Sequence, residues 1–365
     1  MTVTRRVPSL RPGGSSPVLM SAMPERAQVR GRSLEKLRVA INGLEQGMFI
    51  QGRDPANPVL LFLHGGPGMP AYWLDRRYPT GLQQHFTVAW WEQRGTCLSY
   101  QSGIPPHTMT LEQFASDAIA VTDYLRRRFA QQRIYLMGHS WGTYLGIQLA
   151  AQEPARFHAY IGVAQITHQI RSERLSFEYM LRRYRERGDR RMVRRLERVP
   201  LPLAVPLPPV YEALRDKAMH GLGVGTTRQM RSVVTGIFLP SLKFPEYTMR
   251  EKVDLWRGKR FSRRSGLWDR MLATDLTRRV TRLEIPAYFL HGIHDHTVSH
   301  ELAREYAASL QAPLVGFYTF TRSAHSPLFE EPRRMRQILR EDVLAGRVDL
   351  ADPPPPGIPP GQPSV

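Results

Sequence analysis

The stretch Arg133-Ile-Tyr-Leu-Met-Gly-His-Ser-Trp-Gly-Thr-Tyr-Leu-Gly-Ile-Gln-Leu-Ala-Ala151 constrains this chain more than any other. It opens as a short apolar run with β-branched and aromatic residues, a buried strand. It closes with small and aliphatic residues at helical spacing. Gly138-His139-Ser140-Trp141-Gly142 lies between them, a G-x-S-x-G pattern. A serine on so sharp a strand-to-helix turn sits in strained backbone and needs neighbours without bulky side chains, which Gly138 and Gly142 supply. The turn lifts the Ser140 hydroxyl above a sheet and places it at a helix N-terminus, where backbone N–H groups favour developing negative charge. Ser140 is therefore a candidate nucleophile. The competing reading is a plain strand-to-helix turn with a capping serine.

Strands alternate with helices on both sides of this element, which implies a mostly parallel sheet and an α/β fold. Leu37–Ile41, Asn42-Gly43 and Leu44–Gln51 read as a hairpin on a tight turn. Pro58–Leu63 and Phe86–Trp91 are continuous apolar runs, the pattern of strands buried on both faces. Thr110 begins a helix running to Phe129, with Gln113 placed for a capping box. Further strands are expected at His158–Ala164, Pro286–His291 and Leu314–Phe320, with helices over Ser299–Leu310 and after Pro327.

The alternation breaks from Thr167 to Asp275, a helical and irregular block interrupted by the Pro-rich joint Pro200–Pro209. It reads as an inserted helical cap over the sheet's C-terminal edge. The expected division is a disordered leader over 1–34, a first core part over 35–166, the cap over 167–276, a second core part over 277–347, and a disordered Pro-rich tail over 348–365. Order is expected to begin near Leu37, and Met20 and Met23 are alternative starts.

The net charge of +19 invites a nucleic-acid reading. No nucleic-acid motif accompanies it. The arginines are scattered, with one dense region from Arg171 to Arg198 where eleven face five acidic residues. Solvated helix faces are the expected place for them, with an attraction to anionic substrates as the functional remainder. Cys97 is the only cysteine, so the fold rests on its core, and a cytoplasmic location is the compatible expectation. No run of about 18 apolar residues is present, so no membrane span is expected. The residues after Arg5-Arg6 form no apolar segment, which argues against a signal peptide.

A serine hydroxyl needs a base, normally histidine, oriented by a carboxylate. In a parallel sheet these partners come from loops at the C-terminal ends of later strands. Asp295 follows the strand ending at His291, and His325 follows the strand ending at Phe320. The order Ser140, Asp295, His325 is that of α/β-hydrolases. Asp269 and Asp275 are weaker acids because neither follows a core strand. His139, His291 and His300 are expected to be structural, and His294-Asp295-His296 lacks the further ligands a metal would need. An oxyanion requires two N–H donors: Trp141, the residue after the serine, and Gly66 of the His64-Gly65-Gly66-Pro67-Gly68 loop. That loop lacks the signatures of a phosphate cradle.

His64–Gly68, Glu92-Gln-Arg-Gly95, Gly138–Gly142 and Ala324-His325-Ser-Pro327 together resemble the proline iminopeptidases and related α/β-hydrolases, over roughly Leu37 to Leu344. The resemblance implies an α/β-hydrolase fold and a serine hydrolase releasing N-terminal residues, commonly proline, from small peptides, with no metal or organic cofactor. It assigns Ser140 as nucleophile, Asp295 as acid, His325 as base, and Trp141 with Gly66 as the oxyanion hole. The chain departs from the family in two places. Glu92 stands where Asp is usual, keeping a charge expected to pair with Arg94. The cap lacks the Trp-Glu pair that holds the substrate's ammonium; Glu173 and Glu178 are the substitutes, each set among arginines as an intrahelical ion-pair partner would be. The expected partner is a small-molecule or short-peptide substrate, with no nucleic acid. A carboxylesterase or lactonase is the alternative enzyme, and a non-catalytic small-ligand binding protein the alternative of another class.

Overall fold

The computed structural model describes residues 27–29 and 32–354. One nine-stranded sheet organises them: β1 (Ala27–Val29), β2 (Arg32–Ile41), β3 (Leu44–Gly52), β4 (Val59–Leu63), β5 (Thr87–Trp91), β6 (Ile134–His139), β7 (Phe157–Val163), β8 (Ala287–Gly292) and β9 (Val315–Phe320). Their order across the sheet is β1-β2-β3-β5-β4-β6-β7-β8-β9. The pairs β1–β2, β2–β3 and β3–β5 are antiparallel, and all others are parallel. The β2–β3 hairpin turns on Asn42 and Gly43, both at positive φ (47° and 76°), as a two-residue turn requires.

The continuous apolar runs have a direct cause. In β4, Val59, Leu61 and Leu63 join the hydrophobic cluster on one face of the sheet, while Leu60 and Phe62 join the cluster on the other. Successive side chains point to opposite faces, so a strand covered on both sides has no polar position to spare. The helix Leu111–Arg128 supplies Phe114, Ala118, Val121 and Leu125 to the first cluster. Thr110 caps it by accepting the Gln113 N–H at 3.2 Å, but the Gln113 side chain turns instead to Asp117. Only half of the capping box is formed.

Between β7 and β8 the chain runs through helices that include Gln169–Glu186, Arg190–Glu197, Pro209–Leu222, Met249–Arg264 and Leu267–Ala273. They have a core of their own, around Phe177, Met180, Leu196, Tyr211 and Leu214. The arginine-dense region lies here. All eleven side chains are exposed except the half-buried Arg183, and several pair along the surface, as Arg174 does with Glu178 and Arg185 with Glu197. The Pro-rich joint is non-helical, and Pro209 opens the helix after it.

Two segments read as disordered are structured. β2 begins at Arg32 rather than near Leu37, with β1 paired to it; the rest of the expected leader, residues 1–26 and 30–31, lies outside the described residues. At the other end, the Asp352 N–H donates to Phe317 O and its carboxylate accepts the Thr319 N–H, both at 2.8 Å. This segment thus covers the outer edge of β9, an edge that would otherwise expose unpaired backbone. Residues 355–365 of the expected tail lie outside the described residues.

Candidate active site

Ser140 leaves the end of β6 and is the N-cap of the helix Trp141–Gln152. Its backbone (φ 54°, ψ −120°) is one a non-glycine residue rarely adopts, at a cost of roughly 1–3 kcal/mol that the surroundings must offset. The Ser140 N–H donates to Val163 O of β7 at 3.0 Å, fixing the turn to the sheet. The flanking glycines are steric necessities: a Cβ on Gly138 would lie 2.4 Å from Gly142 O, and one on Gly142 would lie 2.0 Å from Leu63 O. The helix therefore starts directly against the end of β4. Among the described residues the Ser140 hydroxyl has no hydrogen-bond partner and lines a cavity.

His325 reaches the same cavity from the loop after β9. Its Nδ1 lies 2.9 Å from Asp295 Oδ2, on the loop after β8. The other carboxylate oxygen of Asp295 accepts the N–H groups of Thr297 and Val298, both at 2.9 Å. Burial pushes the Asp295 carboxyl up, yet His325 and His291 facing it hold it well below the usual carboxylate range. An acceptor fixed as an anion keeps the His325 proton on Nδ1 and leaves Nε2 free to accept one. Among the described residues no hydrogen bond joins the Ser140 hydroxyl to His325 Nε2, which lines the same cavity. The loop is held from behind by His139, whose Nε2 is 3.0 Å from His325 O; burial and the neighbouring His325 press its pKa down to about 3.

The loop after β4 lies against the serine. A Cβ on Gly65 would come within 3.3 Å of Ser140 Cβ, and the Gly66 N–H has no acceptor among the described residues. Trp141, at the first helical position, has an N–H with no intrahelical acceptor. Gln93, to which the sequence motif assigned no role, ties these two donors' segments together. Its N–H donates to His64 Nε2 at 3.1 Å and its amide nitrogen to His64 O at 3.1 Å. Its amide oxygen accepts the Trp141 indole N–H at 2.9 Å. Burial pushes the His64 pKa down to about 4, so the ring stays neutral and accepts from Gln93 while donating to Gly65 O.

Other expectations fall differently. Arg94 pairs with buried Asp117 at 2.7 and 3.0 Å, not with Glu92. Glu92 instead accepts the Leu98 N–H at 2.7 Å and the Tyr247 hydroxyl. Glu173 is fully buried away from the cavity, its carboxylate held by Arg215 at 2.6 and 2.7 Å, Tyr211 at 2.7 Å and Gln169 at 3.0 Å. A group so satisfied has no capacity for a substrate ammonium. Glu178 is on the outer surface with Arg174. Asp275 caps the helix Leu276–Arg279, and Asp269 sits in the first turn of the helix Leu267–Ala273. His296 stacks on Tyr179 with ring centres 3.6 Å apart. Among the described residues no group of three His, Cys, Asp or Glu side chains is placed to hold a metal ion, and no helix is long and apolar enough to cross a membrane.

The cavity above Ser140 measures about 960 Å³. Its floor is the Gly65–Pro67 loop, Ser140 and His325; the helices between β7 and β8 form its walls and roof. Six cationic side chains line it (Arg215, Arg228, Arg231, Lys259, Arg263 and Arg322) against three carboxylates, Glu212, Asp216 and Glu330.

Residues 58–201 match the family model of the alpha/beta hydrolase fold. The chain is 33% identical over 298 residues to the probable aminopeptidase YbaC of Bacillus subtilis, covering 80% of this chain and 91% of the relative. Among solved structures, a proline iminopeptidase-related protein from Thermus thermophilus superimposes with a TM-score of 0.56 at 22% identity, covering 86% of this chain and 98% of its own. A proline iminopeptidase of Mycobacterium smegmatis gives 0.55 at 17%, covering 85% and 99%. Those two likenesses speak for the fold, and the Bacillus relative for the lineage. The chain is a hydrolase and belongs to the proline iminopeptidase-like α/β-hydrolases.

Proposed function

We propose that the protein is a Ser-His-Asp hydrolase that works through an acyl-enzyme and releases an N-terminal residue from short peptides or small amides. The observation that carries this reading is the 2.9 Å contact between His325 Nδ1 and buried Asp295, with His325 on the floor of the cavity that the strained Ser140 also lines. His325 Nε2 takes the Ser140 proton as Oγ attacks the substrate carbonyl carbon. The carbonyl oxygen becomes an oxyanion facing the N–H groups of Gly66 and Trp141, each such donor contributing up to about 3–4 kcal/mol in the transition state. Collapse breaks the bond to the leaving group, which receives the proton from His325. Water, deprotonated by His325, then hydrolyses the acyl-enzyme and returns the proton to Ser140. Asp295 keeps the imidazole oriented and stabilises its cationic form.

The aminopeptidase assignment is supported by the named activity of the Bacillus relative. A carboxylesterase or lactonase is favoured by a different observation: each carboxylate on the cavity wall is already engaged. Glu212 pairs with Arg263, Asp216 with Arg215, and Glu330 accepts the N–H groups of Arg228 and Ala324. A panel of prolyl- and alanyl-p-nitroanilides against p-nitrophenyl acyl esters separates the two. Arylamide turnover that Ser140→Ala abolishes is the expected result. Ester turnover without arylamide turnover would remove the aminopeptidase assignment, and activity surviving in Ser140→Ala would remove the mechanism.

A further inference from the structure

We propose that Lys259 binds a carboxylate of the substrate, making the enzyme selective for short peptides or acyl compounds that carry a free carboxylate over counterparts that lack it. The inference rests on the cavity above Ser140 being the substrate site.

Lys259 lies on the cavity-facing side of the helix Met249–Arg264. Its ammonium donates to Pro67 O at 2.9 Å, next to the loop that carries Gly66. An ammonium has three donors, so two remain for the cavity. No carboxylate lies within ion-pair distance of it among the described residues, although the three wall carboxylates share this cavity. Arg215 is held by Glu173 and also touches Asp216, and Arg263 pairs with Glu212. Arg228 and Arg231 also lack ion-pair partners, but both are exposed, and the exposed Arg322 faces Glu331 at 3.5 Å. The half-buried Lys259 is thus a cavity cation with no carboxylate in contact, Asp216 acting on it only from beyond ion-pair distance, and placing a charge there without a contacting partner is costly. Burial and Arg263 lower its pKa and Asp216 raises it, leaving it at about 8. At neutral pH the cation is the dominant form. A substrate carboxylate would complete the pair, while a lone ammonium would meet an excess of positive charge.

Two kinds of substrate place a carboxylate there: a dipeptide through its C-terminus on the leaving side, or a dicarboxylic monoester through its acyl side. The test measures kcat/KM for two matched pairs, Ala-Ala against Ala-Ala-amide and p-nitrophenyl hemisuccinate against p-nitrophenyl butyrate. Wild type is compared with Lys259→Gln, which keeps a donor for Pro67 O without the charge, and with Lys259→Arg. In one pair, the ratio of kcat/KM for the member with the free carboxylate to that for the member without it should fall about 10- to 100-fold in Lys259→Gln, the range expected for a charge-assisted hydrogen bond. Lys259→Arg should recover part of it, mainly through KM. Which pair responds identifies the side of the substrate that is read. Equal losses for both members of both pairs would make Lys259 a support for the loop and overturn the proposal, as would a wild type that does not favour the carboxylate-bearing member of either pair. If no substrate is turned over, the proposed reaction fails, and calorimetric titration of wild type and Lys259→Gln with Ala-Ala and succinate decides the binding claim. Binding lost in Lys259→Gln upholds it, and equal or absent binding in both proteins ends it.

Discussion

Replacing Glu92 by Gln should make the folded protein less sensitive to rising pH. The Glu92 side chain is buried at the end of β5, with the Leu98 N–H and the Tyr247 hydroxyl donating to its two oxygens. Burial is the largest influence on it and outweighs those hydrogen bonds, pushing its pKa from the ordinary 4.5 up to about 7. Between those values the unfolded chain has lost the proton while the folded chain still holds it. Stability therefore falls as pH rises through that window, is unaffected by this group below it, and has lost the full amount above it. At roughly 1.36 kcal/mol per pH unit the loss is about 3 kcal/mol. The amide introduced by Glu92→Gln does not titrate; its oxygen accepts from Leu98 and its nitrogen donates to the Tyr247 oxygen. Chemical denaturation of wild type and Glu92→Gln at pH 5, 6, 7 and 8 reads the effect directly. The variant should gain relative to wild type by about 2–3 kcal/mol across the series. Stability curves that stay parallel would show that Glu92 is ionised throughout, and the burial argument would be refuted.

The packing implies three further outcomes. Gly142→Ala puts a methyl 2.0 Å from Leu63 O, so the soluble variant should show a lowered melting temperature and at least tenfold slower ester turnover, roughly the cost of displacing a catalytic group by a fraction of an ångström. Gln93→Leu removes the link between His64 and Trp141; kcat should drop about tenfold or more with KM little changed, since the donors are misplaced chiefly for the oxyanion. Arg215→Met strands the buried Glu173 carboxylate and should destabilise by about 3–5 kcal/mol, while Arg215→Met combined with Glu173→Gln should recover a large part of that; denaturation midpoints of the single and double variants check it.

The sheet and the loops that carry Ser140, Asp295 and His325 were legible because their signals are local. A strand buried on both faces has to be apolar throughout, as Val59–Leu63 is, and the close packing of the turn at Ser140 requires Gly138 and Gly142 within four residues of each other. Asp295 and His325 could be found because each lies a few residues beyond such a strand. What escaped depends on partners distant in the chain. Glu173 read as a substrate ligand because its partner, Arg215, is 42 residues away on another helix. Glu92 read as the partner of Arg94 because adjacency hid Asp117. Lys259 carried no motif, and its importance comes from the helix that brings it over Pro67. The segments at Arg32 and Asp352 read as disordered because backbone pairing at a sheet edge needs no apolar pattern.

The proposed mechanism makes Ser140 a nucleophile activated through His325. Fluorophosphonate labelling of the intact protein, with peptide mass mapping of the product, tests it most directly. A single adduct is expected on the Ser140 peptide, absent in Ser140→Ala and formed at least about 100-fold more slowly in His325→Ala, the low end of what a positioned general base contributes. Labelling that persists in Ser140→Ala, or proceeds at the wild-type rate in His325→Ala, would contradict it.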